Sequence, residues 1–319
     1  MSIFLSIASY CDPVLAFTMG RALTLAERPG ELHFGVVDQS PPEAGRLAFP
    51  SEVEGRLSYV RIDARDARGP CWARAIAMSL YDGEDWFFQL DSHMDFEPGW
   101  DTRLVQQAQA LLPGRRGVVI SSYPDPFRFD AQVQPVREPA AGDGVLAHVV
   151  KGDTIAFEPD HPVLGFAGYP IASPVPLPGF HLGAGCLFGP GALAEQFPYD
   201  PYFYFHGEEQ ALALRLFTHG WDIFHMPALP VYHLYNTPQS GAPARPMHWD
   251  AAQESQRSIS WWNLEQRSRQ RLAALVEGEL AGAYGLGSVR SIADYADFSG
   301  IDYRARTIAP KAYRPLPAV

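Results

Sequence analysis

Two residues with metal-ligating side chains, Asp91 and His93, close the run Asp85-Trp86-Phe87-Phe88-Gln89-Leu90-Asp91-Ser92-His93. In extended backbone, residues two apart send their side chains to the same face, so this pair can hold one divalent cation. The tripeptide alone is a weak motif, because Asp-x-His recurs by chance. Its position adds weight. Trp86, Phe87, Phe88 and Leu90 are too continuously apolar for a half-exposed strand, which predicts a central strand covered on both faces and ending at the two ligands. Further along, Glu208 and Glu209 follow Gly207 and open a helical stretch that ends at His219-Gly220. Both carboxylates then fall in a first turn, where the helix dipole favours anions. A lone His233 follows the apolar segment 223–232. By residue type alone each also has a structural role available. Asp91 suits an Asx turn, His233 a core site, the glutamates a helix start, and Arg74 a solvated helix face.

The elements that must position these residues alternate. Residues 3–9 read as a buried strand, and Asp12 as the cap of a helix with Pro13 at its first position, ending at Pro29-Gly30. Strands at 32–37 and 57–62, a helix at 71–81, the strand ending at Asp91, a helix at 100–112 and a strand at 117–122 follow. This alternation predicts an α/β fold with a mainly parallel central sheet flanked by helices. Ligands bind such sheets at the carboxyl ends of the strands, which is where Ser9, Tyr10, Gln39, Asp91 and His93 fall.

Between residues 123 and 181 lie ten of the 29 prolines, which predicts irregular hairpins and loops over the binding face and a place for acceptor recognition. The stretch 180–188 is small and apolar enough for a strand that something else approaches closely. From 247 to 280 the pattern turns helical and charged. The expected organisation is a catalytic sheet domain over 1–240, carrying the loop-rich insertion at 123–181, with a helical C-terminal extension over 241–319 packed on it.

A chain of 319 residues can bury a large core. Its formal charge of −11 and lack of Lys/Arg runs argue against a nucleic-acid groove or an anionic membrane surface as partner, although a metal can still bring in a phosphorylated nucleotide. Three cysteines without a C-x-x-C argue against a disulfide framework and point to a reducing compartment. The apolar first residues lack a basic n-region, and no stretch is long enough to span a bilayer, so a cytoplasmic location is expected.

Taken together, Asp91-Ser92-His93, Gly207-Glu208-Glu209 with Arg215 and Gly220, and the late His233 resemble the D-x-H, G-G-E-N and late-His elements of the metal-dependent polypeptide N-acetylgalactosaminyltransferases. The order resembles still more closely the N-acetylglucosaminyltransferase family typified by the cytoplasmic enzyme of protists that modifies hydroxyproline on a ubiquitin-ligase subunit. That likeness runs through Ser6-Ile7-Ala8-Ser9-Tyr10-x-Asp12-Pro13, Gly69-Pro70-x-x-Ala73-Arg74 and Gln89-Leu90-Asp91-Ser92-His93-Met94. It continues in Gly207-Glu208-Glu209, His233-x-Tyr235, Gly285-Leu286-Gly287 and Phe298-Ser299-Gly300-Ile301-Asp302-Tyr303, and is weakest across 123–181.

The resemblance implies a GT-A-type fold and a retaining glycosyltransferase. Its donor would be a UDP-sugar, most simply UDP-GlcNAc, with Mn²⁺ or Mg²⁺ on the diphosphate and a hydroxyl on a protein, peptide or small molecule as acceptor. It further implies that Asp91, His93 and His233 hold the metal and that Ser6, Ala8, Ser9, Tyr10 and Asp12 line the uridine. Arg74, Asp91 and Ser92 would then face the phosphates or sugar, and Glu208 and Glu209 would orient sugar or acceptor. Two other functions would use the same residues: a metal-dependent hydrolase, or a catalytically silent module that binds nucleotide-sugar or carbohydrate.

Overall fold

The computed structural model describes residues 1–49, 51–138, 144–257 and 259–318. Its first half builds the alternating layers: β1 (Ile3–Tyr10), α1 (Leu15–Leu25), β2 (Leu32–Ser40), β3 (Leu57–Asp63), α2 (Pro70–Met78), β4 (Trp86–Asp91), β5 (Met94–Phe96), α3 (Trp100–Leu111) and β6 (Val118–Ser121). The proline-rich stretch supplies β7 (Phe127–Phe129), β8 (Pro135–Arg137), β9 (Val145–Val150), β10 (Phe166–Ile171) and β11 (Leu177–Gly179). Then come β12 (Cys186–Pro190), α4 (Ala192–Gln196), α5 (Glu208–Thr218), β13 (Asp222–His225), β14 (Val231–His233), α6 (Ala251–Glu254), α7 (Trp261–Glu277), α8 (Ile292–Ser299) and the small hairpin β15 (Ile301–Asp302) with β16 (Thr307–Ile308).

Eight strands form one sheet in the order β11-β13-β6-β12-β4-β1-β2-β3. β3, β2, β1 and β4 are parallel neighbours, as are β6 and β13, while β12 runs antiparallel between β4 and β6 and β11 lies antiparallel on β13. The sheet is therefore mixed, with a parallel half built from the alternating βα units. Alternation within β1 divides the core. Ile3, Leu5 and Ile7 pack with Leu15, Met19, Trp100 and Leu104 of α1 and α3 on one face. Phe4 points to the other face, where Phe87, Leu212, Leu216, Leu272 and Tyr295 from β4, α5, α7 and α8 join it. The helices after residue 241 thus share a core with the sheet. No helix of the described residues is long and apolar enough to cross a membrane.

Two elements differ from the sequence reading for visible reasons. The first helix stops at Leu25, short of Pro29, because the buried carboxylate of Asp101 accepts the backbone N–H groups of Glu27 and Arg28 at 2.8 Å each and draws the chain out of the helix. The strand expected over 180–188 begins only at Cys186, since residues 183–186 form a turn held by Ser121 Oγ and closed by Cys186 N–H on Gly183 O.

Candidate functional site

The parallel register brings the chemistry to one edge of the sheet. Ala8 of β1 lies beside Asp91 of β4 and Val37 of β2, while Ser9 and Tyr10 face Asp38 and Gln39. The chain bends after Asp91 through Ser92 and His93 before β5 begins, and β5 pairs antiparallel with β14, matching Met94 to His233. That short ladder carries His233 to the tip of β4 from more than a hundred residues away. The Nε2 atoms of His93 and His233 lie 3.0 Å apart, and Asp91 Oδ2 lies 3.3 Å from the His233 nitrogen and 3.8 Å from that of His93.

Such a triangle encloses a point about 2 Å from all three donors, the bond length of a small divalent metal to nitrogen or oxygen. The protonation of Asp91 and His233 suits a cation as well. Burial opposes charge on Asp91, but the hydrogen bond with His233 and the positive charge of Arg74 outweigh it and hold the carboxyl far below its usual range. For His233, burial lowers the pKa to about 4 against the opposing pull of Asp91, so its imidazole is neutral near pH 7. His93 Nδ1 donates to Asp12 Oδ2 at 2.6 Å, which leaves its Nε2 lone pair facing the other two donors. The three residues fit a divalent cation in donor type and spacing, as do Asp91 and His233 in protonation.

Around this triad stand two buried carboxylate networks. Gly207 adopts φ +89°, a left-handed conformation that favours glycine, and α5 starts directly after it with Glu208 and Glu209. Arg74, only 6% exposed, donates from Nη1 to Glu208 Oε1 at 2.8 Å and from Nη2 to Asp91 Oδ1 at 2.8 Å, so one guanidinium ties helix α5 to the tip of β4. Glu208 also accepts from Cys71 Sγ at 3.0 Å and from the hydroxyl of Tyr199. Burial raises its pKa more than Arg74 lowers it. Glu209 has the opposite balance. Burial would raise its pKa, but it accepts hydrogen bonds from His181 at 3.2 Å, the Ala184 N–H at 2.8 Å and Tyr123 at 2.7 Å, which together pull it down.

Both glutamates, Arg74, Asp91 and His233 line one cavity of about 400 Å³. The structure therefore gathers Asp91, His93, His233, Arg74, Glu208 and Glu209, with Asp12 and Ser92 just behind. Ser92 Oγ donates to Asp12 Oδ2 at 2.6 Å, and Asp12 Oδ1 accepts the Val14 N–H at 2.8 Å, so Asp12 serves both the His93 bend and the entry to α1. Of the β1 residues, Ala8 lies beside Asp91 in the ladder, while the side chains of Ser6, Ser9 and Tyr10 make no hydrogen bond to this cluster among the described residues. Ser6 and Ser9 are 1% exposed, and their hydroxyls have no partner among the described residues. Tyr10 donates to Gln253 Oε1 at 2.9 Å and packs its ring on His248, under the segment that leads to α6.

Sequence reasoning did not single out Tyr123, His181, Tyr199 or Cys71, which complete the two glutamate networks. Cys71 carried a usable signal, since it precedes Arg74 by three residues and shares its helix face. Tyr123 and His181 carried none, because they sit at the two ends of the proline-rich stretch. The expectation of a closely approached backbone near 180–188 is met at Gly185, where a Cβ would lie 2.3 Å from Asp91 Oδ2.

Among solved structures, the chain is similar in fold to GalNAc-T7, crystallised with UDP, GalNAc and Mn²⁺: TM-score 0.56, 13% identity, over 93% of this chain and 54% of that one. The chain thus spans about half the length of GalNAc-T7. Weaker likenesses are to Staphylococcus aureus TarS, with TM-score 0.42 and 11% identity over 74% of this chain and 37% of that one, and to its residues 1–349 in complex with UDP-GlcNAc, with TM-score 0.41 and 12% identity over 85% and 72%. No curated protein matches the chain in sequence. The GalNAc-T7 likeness and the mixed sheet flanked by helices identify the fold as GT-A. A family model described as "Glycosyltransferase (GlcNAc)" matches residues 42–305, most of the chain, and on that match the protein belongs to the GlcNAc glycosyltransferase family.

Proposed function

We propose that this protein is a metal-dependent, retaining glycosyltransferase that moves GlcNAc from UDP-GlcNAc to a hydroxyl on a protein, peptide or small-molecule acceptor. The observation that carries the proposal is the convergence of Asp91, His93 and His233, with Asp91 and His233 in the wall of a cavity that is also lined by two partnered glutamates. Family membership supports sugar transfer, and GalNAc-T7, similar in fold, holds UDP and Mn²⁺. On this reading Asp91, His93 and His233 would hold Mn²⁺ or Mg²⁺, with two imidazoles favouring Mn²⁺. When bound, the cation supplies charge neutralisation for the departing UDP diphosphate.

The chain's own residues supply the rest. Asp12 holds His93 in one tautomer. Arg74 bonds Asp91 and Glu208 at once and so links the metal end of the cavity to its glutamate end. Glu209 presents a carboxylate braced by Tyr123, His181 and the Ala184 N–H, suited to orient sugar hydroxyls. The β1 end, from Ser6 to Tyr10, is assigned to the uridine side. The same proposal extends to a catalytic unit over 1–240, a helical extension over 241–319, kinship with the protist hydroxyproline-modifying enzymes and a cytoplasmic location.

The test is UDP release from UDP-GlcNAc with Mn²⁺ present, wild type against Asp91→Ala. Release by the wild type that Asp91→Ala and chelation both abolish is expected. Equal release from the two proteins would remove the metal role assigned to Asp91, and no release with any UDP-sugar would remove the proposed activity.

A further inference from the structure

One titratable pair at the same cavity has no part in the reading above. His206 immediately precedes Gly207-Glu208-Glu209 and lines the cavity, with its side chain 53% exposed. Its Nδ1 donates to Glu265 Oε1 at 2.9 Å. Glu265 belongs to α7, has a side chain only 1% exposed, and its Oε2 is buried with no partner among the described residues. A buried carboxylate is retained at a cost unless something cationic or hydrogen-bonding compensates it. Here Arg269 supplies one donor, to the same Oε1 at 3.1 Å, and His206 supplies the other. Burial raises the pKa of Glu265, and the bonds to His206 and Arg269 more than reverse that, so the carboxylate is ionised. Ser268 Oγ, also from α7, donates to the His206 carbonyl at 2.8 Å and fixes the backbone beneath the ring.

An ionised carboxylate bound to Nδ1–H sets the imidazole tautomer and leaves Nε2 as a lone-pair acceptor. Nε2 of His206 has no hydrogen-bond partner among the described residues. The ring is thus held by its inner nitrogen and leaves its outer one free in the lining of the cavity, two residues from Glu208. Beside it Phe205, which also lines the cavity, packs edge-on at 5.0 Å between ring centroids and is backed by Trp249 at 5.2 Å.

We infer that His206, braced by Glu265, is the acceptor-side catalytic residue: its Nε2 accepts the proton of the attacking hydroxyl and aims the oxygen at the sugar carbon. The inference rests on the glycosyltransferase reading. The bond between the sugar carbon and the UDP oxygen breaks with its electron pair leaving on UDP, and the acceptor oxygen forms the new bond to that carbon. The acceptor proton passes along its hydrogen bond to His206 Nε2 as the new bond forms, and the imidazolium, held by Glu265 through Nδ1–H, returns that proton to water once UDP has left. The helical segment 261–277 thereby contributes to the reaction through Glu265, although it touches no substrate.

Water is the smallest hydroxyl acceptor, so the test uses hydrolysis of UDP-GlcNAc with Mn²⁺, read as UDP release. His206→Ala is expected to lower kcat about a hundred-fold with KM for UDP-GlcNAc unchanged. Calorimetric affinity for UDP-GlcNAc should match wild type, and added imidazole should restore part of the turnover. Glu265→Gln should lower kcat about ten-fold in the same pattern. Unchanged turnover in His206→Ala overturns the inference. Loss of donor affinity in parallel with kcat, or failure of imidazole to rescue, also overturns it, since either marks a donor-side or purely structural role. Absence of UDP release in the wild type is a separate result, which removes the glycosyltransferase reading itself.

Discussion

His93 donates through Nδ1 to Asp12 Oδ2 at 2.6 Å across 81 residues of sequence, and the same carboxylate oxygen accepts from Ser92 Oγ. Asp12 therefore sets the orientation of a candidate metal ligand without facing the ion. Outer partners of this kind are worth about 10- to 100-fold in metal affinity. Asp12→Ala is expected to weaken Mn²⁺ binding by that factor in a calorimetric titration with UDP present, with far-UV circular dichroism unchanged. Identical Mn²⁺ affinity in the variant would show that His93 needs no such partner.

Arg74 is the only cation among the described residues that bonds both Asp91 and Glu208, and it does so from within the core. Removing one partner of a buried ion pair leaves an uncompensated charge, at a cost on the order of 3–5 kcal/mol. Arg74→Gln should lose stability on that scale in urea unfolding. Arg74→Lys should recover only part of it, because a single ammonium cannot span two carboxylates in the geometry of a guanidinium fork. Full stability in Arg74→Lys would count against the bridging role.

Much of this site is legible in the amino-acid sequence, and the limits of that legibility have physical causes. The continuous apolar character of β4 marks a central strand, and a polar ligand pair at its end marks the carboxyl edge where α/β sheets bind ligands. The pairing of His233 with Asp91 and His93 comes through family resemblance, because it depends on the two short strands β5 and β14, only three residues each. Asp12 reads as a helix cap with Pro13 at the first position, but α1 begins at Leu15 with Val14 at its N-cap, and Asp12 Oδ1 accepts the Val14 N–H in the turn just before it. Its second oxygen serves His93, a long-range contact that local patterns do not encode. For Arg74 the resemblance implies a phosphate or sugar partner, and its amphipathic helix also allows a solvated position. The packing of α2 on β1 and β2 puts it at the cavity between the carboxylates of Asp91 and Glu208, and only tertiary packing decides which face of a helix is covered.

His148 and His225 are both 1% exposed, with rings 4.5 Å apart. His148 Nε2 accepts the Tyr123 N–H, and His225 donates from Nδ1 to Ser121 O. Burial holds both neutral, lowering the pKa of His225 to about 4 and that of His148 well below its usual value, with the neighbouring histidines adding to the shift. The unfolded chain takes up protons on these groups near pH 6.5 and the folded chain does not. Stability is thus fully present above about pH 6.5 and falls as pH drops toward 4. Between pH 7.5 and 5.5 the pair should remove about 2–3 kcal/mol, measured by urea unfolding. His225→Gln should flatten that slope, and an unchanged slope would exclude His225 as its source.

Gly185 stands where the backbone leading into β12 passes the tip of β4. Its carbonyl accepts the Asp91 N–H at 3.0 Å, and a Cβ there would lie 2.3 Å from Asp91 Oδ2 and 2.7 Å from Cγ. Contacts that short force the carboxylate to move, and Oδ2 is the atom that faces His233. Gly185→Ala should therefore displace the Asp91 side chain while leaving the β-ladder intact. Overpacking of this kind costs about 1–3 kcal/mol. The larger effect should be on Mn²⁺ binding, with an expected loss of about ten-fold or more in a titration with UDP present. Gly20→Ala serves as the comparison, because no atom lies within 4 Å of a Cβ at that position in α1. It should leave Mn²⁺ affinity unaltered and raise stability by about 0.5–1 kcal/mol. If Gly185→Ala binds Mn²⁺ as tightly as the wild type, then Asp91 Oδ2 is not a ligand in the geometry described, and the metal site would have to be built on other atoms.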